Sequence, residues 1–128
     1  MQRFKYIFTV TLSFFLFSTT LPVLANTEPN IKPLQNKQVY SGDKVRVRAN
    51  VSDADGDSLA FYWTQESGTN LQFRGVNTDT LTFTAPRVDQ STEYIFKLTV
   101  SDGQSNSEAS VKVLVEPPHA SVPVADAG

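Results

Sequence analysis

Ser52-Asp53-Ala54-Asp55-Gly56-Asp57-Ser58, followed directly by Leu59-Ala60-Phe61-Tyr62-Trp63, is the stretch whose reading decides the fold. Its first half is an acidic turn. Aspartate side chains bond nearby backbone N–H groups, and glycine adopts positive φ without steric cost. Its second half alternates, with Leu59, Phe61 and Trp63 on one face and Ala60, Tyr62 and Thr64 on the other. A period of two marks a strand with one buried side. The only tryptophan of the chain lies on the apolar face of that strand, which predicts a core indole between two layers of sheet.

The same period recurs along the chain. Val45, Val47, Ala49 and Val51 alternate with Lys44, Arg46, Arg48 and Asn50. Tyr94, Phe96, Leu98 and Val100 alternate with Glu93, Ile95, Lys97 and Thr99, and Ala109, Val111, Val113 and Val115 with Ser110 and Lys112. Shorter strands are expected near Gln38–Tyr40, Leu71–Phe73 and Leu81–Thr84. Turn residues punctuate these runs at Ser41-Gly42-Asp43, Glu66-Ser67-Gly68-Thr69-Asn70, Asn77-Thr78-Asp79 and Ser101-Asp102-Gly103. About seven short strands and no convincing helical repeat predict an all-β, antiparallel β-sandwich.

The amino terminus sets the expected compartment. Arg3 and Lys5 precede the uncharged run Ile7–Phe17, and Val23-Leu24-Ala25 has the character of a cleavage site. This predicts a signal peptide over residues 1–25. The run is shorter than the ~20 residues of a spanning helix, so no membrane span is expected after cleavage. The cleaved chain would be secreted, extracellular or on the cell surface, with the periplasm as the other destination. The chain has no cysteine, which excludes a lipidated cysteine, disulfides and thiolate zinc sites. Removing Arg3 and Lys5 leaves a chain more acidic than the formal net charge of −2. That balance argues against nucleic acid as a partner.

Four motifs in order now point to a family: Ser41-Gly42, Ser52 to Trp63, Phe83-Thr84-Ala85-Pro86, and Phe96-Lys97-Leu98-Thr99-Val100-Ser101-Asp102-Gly103. Together they resemble the PKD-like (polycystic-kidney-disease-type) immunoglobulin-like domains of bacterial exported proteins, over about residues 29 to 117. The resemblance implies an immunoglobulin-like sandwich. Asn30-Ile31-Lys32-Pro33-Leu34 lacks the alanine- and glycine-rich opening common in such domains, and Ala54 stands where a proline is frequent. Residues 26–36 form a lead-in, 37–116 the domain, and 117–128 a proline-containing linker. Pro123-Val124-Ala125-Asp126-Ala127-Gly128 resembles the opening of a second domain, which favours a longer array over a meaningless tail.

Chemistry is sparse. Asp53, Asp55 and Asp57, at i, i+2 and i+4, can converge three carboxylates on a hard cation such as calcium, with Asp102 joining them if its loop lies at the same end. The competing reading is a turn whose aspartates cap the backbone. An EF-hand register starting at Asp53 fails, because Ser58 and Thr64 stand where glycine and glutamate are required. Tyr40, Tyr62 and Phe73 are candidates for a surface patch contacting a protein or a polysaccharide. Lys44, Arg46 and Arg48 read as a solvated stripe or edge protection. The only histidine, His119, falls in the linker, so no nucleophile–base pair can be assembled and no enzyme is expected. Three roles stay open: a non-catalytic spacing or display module, a calcium- or polysaccharide-binding module, and the accessory front end of a secreted hydrolase such as a chitinase or protease.

Overall fold

The computed structural model describes residues 25–119. The predicted signal sequence up to residue 24, and residues 120–128 with the motif resembling a second domain, lie outside the described residues. Within them the apolar alternation becomes nine strands: β1 (Asn30–Ile31), β2 (Lys37–Tyr40), β3 (Lys44–Arg48), β4 (Val51–Ser52), β5 (Ala60–Ser67), β6 (Phe73–Arg74), β7 (Thr80–Thr84), β8 (Thr92–Ser101) and β9 (Asn106–Glu116). Seven of them build two packed sheets, in the orders β2-β9-β8-β5 and β3-β7-β6. The two-residue strands β1 and β4 form a separate small ladder. The all-β sandwich expected from the periodicity is the architecture found.

Three details differ from the simple alternation. The run Lys44–Val51 is not one strand. β3 follows β7 only as far as Arg48 opposite Thr80, Ala49 N then donates to Asp79 O, and the chain leaves to pair with β1 as β4. β2 runs parallel to β9, from Lys37 opposite Val113 to Tyr40 opposite Glu116. An amino-terminal strand meeting the last strand has no hairpin to reverse it, so parallel pairing is open to it. Of Leu71–Phe73 only Phe73 joins a strand, because Gln65 claims the preceding loop: its amide donates to Ser67 O and Thr69 O and accepts from Leu71 N. The pairing of β5 with β8 slips beside this loop, between Gln65 and Ser67.

The core lies between the sheets. Val45, Val47, Leu81 and Phe83 from one sheet face Trp63, Tyr94, Phe96, Leu98, Val100, Val111, Val113 and Val115 from the other, all buried. Phe96 sits at the centre, its ring 5.0 Å from Phe83 and 5.5 Å, edge-on, from Phe73. Edge-to-face and offset contacts at these separations suit the ring quadrupoles. Trp63 is 1% exposed, and its indole N–H donates to Thr78 O at 2.9 Å. Its one polar atom is therefore satisfied at the rim while the ring fills the core. The loop that receives this bond turns at Gly75, where φ is +83° and a Cβ would lie 1.9 Å from Thr80 O. Only glycine fits there.

Replacing Trp63 with alanine removes the largest buried ring and its bond to the Thr78 carbonyl. Urea denaturation should show a loss of about 3–5 kcal/mol; a loss below about 1 kcal/mol would remove the indole from the core.

Candidate functional site

At one end of the sandwich, the β4–β5 turn meets the β8–β9 turn and the lead-in. The Asp53–Gly56 turn is closed by Gly56 N donating to Asp53 O at 3.1 Å and by Asp55 N donating to Asp53 Oδ1 at 2.7 Å. Gly56 takes φ +72°, which closes the turn without a Cβ penalty. The lead-in comes across this turn: Thr27 N donates to Asp55 Oδ2 at 2.8 Å. Such a contact spans 28 residues of sequence, and no local pattern announces it.

Carboxylate oxygens of Asp53, Asp55 and Asp57 lie within 4.8 Å of one another. That equals about twice the 2.4 Å typical of calcium–oxygen ligation, so all three can reach one cation. Asp53 Oδ2 is buried and has no hydrogen-bond partner. A buried acceptor left unpaired is costly, and an ion among the three carboxylates would satisfy it. Partial loss of hydration, followed by repulsion from Asp53, Asp102 and Asp55, raises the pKa of Asp57 above its usual 3.8.

Asp102 is near enough to be felt by Asp57, but its oxygens are engaged elsewhere. Gln104 N and Ser105 N donate to Oδ1 at 2.8 and 2.7 Å, while Asn26 Nδ2 and Ser105 Oγ donate to Oδ2 at 2.8 and 3.0 Å. The backbone bond from Ser105, then the Asn26 amide and the Gln104 backbone, lower its pKa to about 2. The sequence-based grouping of four aspartates therefore separates into a convergent trio and a fourth that builds its own turn. Asn26, a structural partner from the lead-in, carried no signal in the sequence.

The three aromatic candidates do not converge. Tyr62 is the most exposed, at 52%, and lies beside Thr99 on the outward face of the four-stranded sheet. Tyr40 lies on β2, at the opposite edge of that sheet. It is level with Glu116, whereas Tyr62 is level with Glu108, a separation of roughly 27 Å along β9 at ~3.4 Å per residue. Tyr40 stacks on His119 with ring centroids 3.7 Å apart. Phe73 belongs to the other sheet, half-buried against Phe96.

The low pKa of Asp102 carries a pH signature. A carboxyl depressed in the fold stabilises it fully above the unfolded value, and that stabilisation is lost as pH falls through the folded value. Melting temperature should therefore drop between about pH 4 and pH 2, and Asp102→Asn should flatten that drop. Parallel pH curves for the two proteins would contradict the assignment.

Residues 35–115 match the family model described as K319L-like, PKD domain. A 94-residue stretch, 73% of the chain, is 35% identical to Chitinase A of Pseudoalteromonas piscicida; it spans only 11% of that protein. Among solved structures, the PKD domain of human KIAA0319 superposes with a TM-score of 0.60 at 21% identity, covering 80% of this chain and 91% of that one. A nucleoside hydrolase-related protein of Saccharophagus degradans, described as associated with carbohydrate metabolism, gives 0.57 at 20% identity, over 72% of this chain and 26% of that one. At such identities the superpositions speak for the fold. The parallel β2–β9 edge, the tryptophan strand and the acidic turn are thus the parts of a K319L-like PKD domain, and the chain belongs to that family.

Proposed function

We propose that the chain is a non-catalytic module of a longer exported protein, serving as spacer and binding element beside a polysaccharide-degrading domain. The observation that carries this reading is the proportion of the chitinase match: most of this chain, but 11% of the relative. The shared unit has the length of one β-sandwich, which is how an accessory domain attached to a larger enzyme appears. The fold supports it as well. PKD domains are immunoglobulin-like sandwiches, and among the described residues no polar or charged side chain is classed as buried. The carboxylates drawn partly out of water, Asp53 and Asp57, sit in the acidic turn with no histidine, cysteine or lysine in their cluster to act as a base or nucleophile.

The acidic turn favours a second role for the same module, calcium binding by Asp53, Asp55 and Asp57. It rests on the unpaired Asp53 Oδ2 and the 4.8 Å convergence of the three carboxylates. Calcium here would supply charge neutralisation and stiffness, fastening the turn and the lead-in that rests on Asp55.

Both readings have direct tests. An antibody against residues 26–118, used on secreted and envelope fractions, should detect a species far heavier than the 14.1 kDa of this chain. A band at or just below that mass would make the domain free-standing and sink the accessory reading. For the metal, millimolar calcium should raise the melting temperature of the chain by several degrees, and Asp55→Asn should abolish the rise. Asp57→Asn should have opposite effects in the two conditions: more stable than wild type in chelator, where repulsion is relieved, and less stable in calcium. No shift with calcium in the unaltered chain would refute the metal site.

A further inference from the structure

The outward face of the three-stranded sheet gathers positive charge in a protein whose formal net charge is −2. β3 contributes Lys44, Arg46 and Arg48, β7 contributes Thr80, Thr82 and Thr84, and β6 contributes Arg74. The ladder sets Lys44 beside Thr84, Arg46 beside Thr82 and Arg48 beside Thr80, with Arg74 on the far side of Thr82. A row of hydroxyls is therefore flanked by cations on both sides. Lys44, Arg46, Gln72, Arg74, Thr82 and Thr84, with the core residues Val45 and Phe83, line an open depression of about 700 Å³.

On the other sheet the lysines of the two central strands are paired, and only Lys37 on the edge strand β2 has no carboxylate among the described residues. Lys97 reaches Glu66 at 3.9 Å and Glu108 at 3.7 Å, and Lys112 reaches Glu93 at 3.8 Å. On the β3-β7-β6 face only Arg48 has a carboxylate, Asp79 at 3.7 Å. Lys44, Arg46 and Arg74 form no ion pair among the described residues. Side chains two apart on a strand face stand about 7 Å from each other, so these charges repel without local relief. Such a face is complementary to an anionic partner.

We propose that this face binds an acidic polysaccharide, a glycan carrying carboxylate or sulfate groups, laid across β3, β7 and β6. Planar guanidinium groups grip such oxyanions through two parallel N–H bonds. Threonine hydroxyls both donate and accept, as sugar hydroxyls require. The one aromatic residue lining the depression, Phe83, is 6% exposed and offers no open ring face on which a nucleic-acid base could stack. Val45 and Phe83, the apolar residues of its lining, are buried in the core and are not free to enter a bilayer. The inference deepens the reading of the chain as an exported binding module and fails separately from it. Native size tests the module; glycan affinity tests this face.

The probes are heparin as a sulfated glycan, polygalacturonate as a carboxylated one, dextran as a neutral control and a single-stranded DNA oligonucleotide. By calorimetry at low salt the purified chain should bind the first two, ignore dextran, and lose affinity as sodium chloride screens the face. Arg46→Gln with Arg74→Gln should weaken binding at least about tenfold. Lys97→Gln with Lys112→Gln changes net charge equally and should leave affinity within about twofold. An NMR titration of the unaltered chain with a short heparin oligosaccharide gives a readout independent of any variant. Its shifts should fall on Arg46, Arg74, Thr82 and Thr84. The proposal is overturned by absence of heparin binding, by equal losses in the two double variants, by shifts confined to β8 and β9, or by DNA binding as tight as heparin at the same salt.

Discussion

Everything in this domain depends on two sheets staying together without a covalent tie. Immunoglobulin domains of antibodies bridge their sheets with a disulfide packed against a tryptophan. Here there is no cysteine, and the clasp is aromatic. Phe96 of one sheet lies between Phe83 and Phe73 of the other, with Trp63 buried nearby in the same core. A native disulfide typically contributes about 2–4 kcal/mol. Fully burying one large apolar side chain contributes about 1.5–3 kcal/mol, so a few well-packed rings replace a bridge. The price is geometric exactness: a core this dependent on packing tolerates little loss of volume.

Because the sheets alternate side chains strictly, the residues between the core positions are free to carry charge, and the two faces have used that freedom differently. Lys97 and Lys112 are matched by glutamates; Lys44, Arg46 and Arg74 are not. The acidic turn is a third environment, where negative charge is concentrated by a tight loop instead of a strand face. One fold thus holds a sheet whose central lysines are paired, a basic sheet and an acidic end, while net charge alone suggests only mild acidity. Net charge is an average over surfaces that differ in sign, and it describes none of them.

The strands and the core were legible in the sequence because period-two alternation is a local property. Val45 and Val47, Trp63, the β8 series from Tyr94 to Val100 and the β9 series from Val111 to Val115 are all buried as their spacing requires. What local pattern could not reveal was pairing. Nothing in Lys37–Tyr40 states that it runs parallel to β9, and nothing in Val51–Ser52 states that it abandons β7 for β1. The site was legible only in its i, i+2, i+4 trio. Separating Asp102 from that trio depended on Asn26, a partner 76 residues away. Grouping Tyr40, Tyr62 and Phe73 by their aromatic character failed for the same reason, since residue type carries no address. Arg74 and Arg46 are 28 positions apart in sequence and become neighbours only because both pair with Thr82 of β7.

Long-range contacts also fix where the two ends of the described chain lie. Asn26 is fastened to Asp102 and Ser105 at the β8–β9 turn, so the chain enters the sandwich at the start of β9. It leaves at the other end of that strand, past Glu116, where Ser41 donates to the Glu116 carbonyl and Tyr40 stacks on His119. The 11 residues of β9 span roughly 37 Å at ~3.4 Å each. Asn26 and His119 therefore lie at opposite ends of the sandwich, each held by specific side chains. The parallel β2–β9 edge places Tyr40 beside Glu116 and His119, and so holds this end of the chain as firmly as Asn26 holds the other.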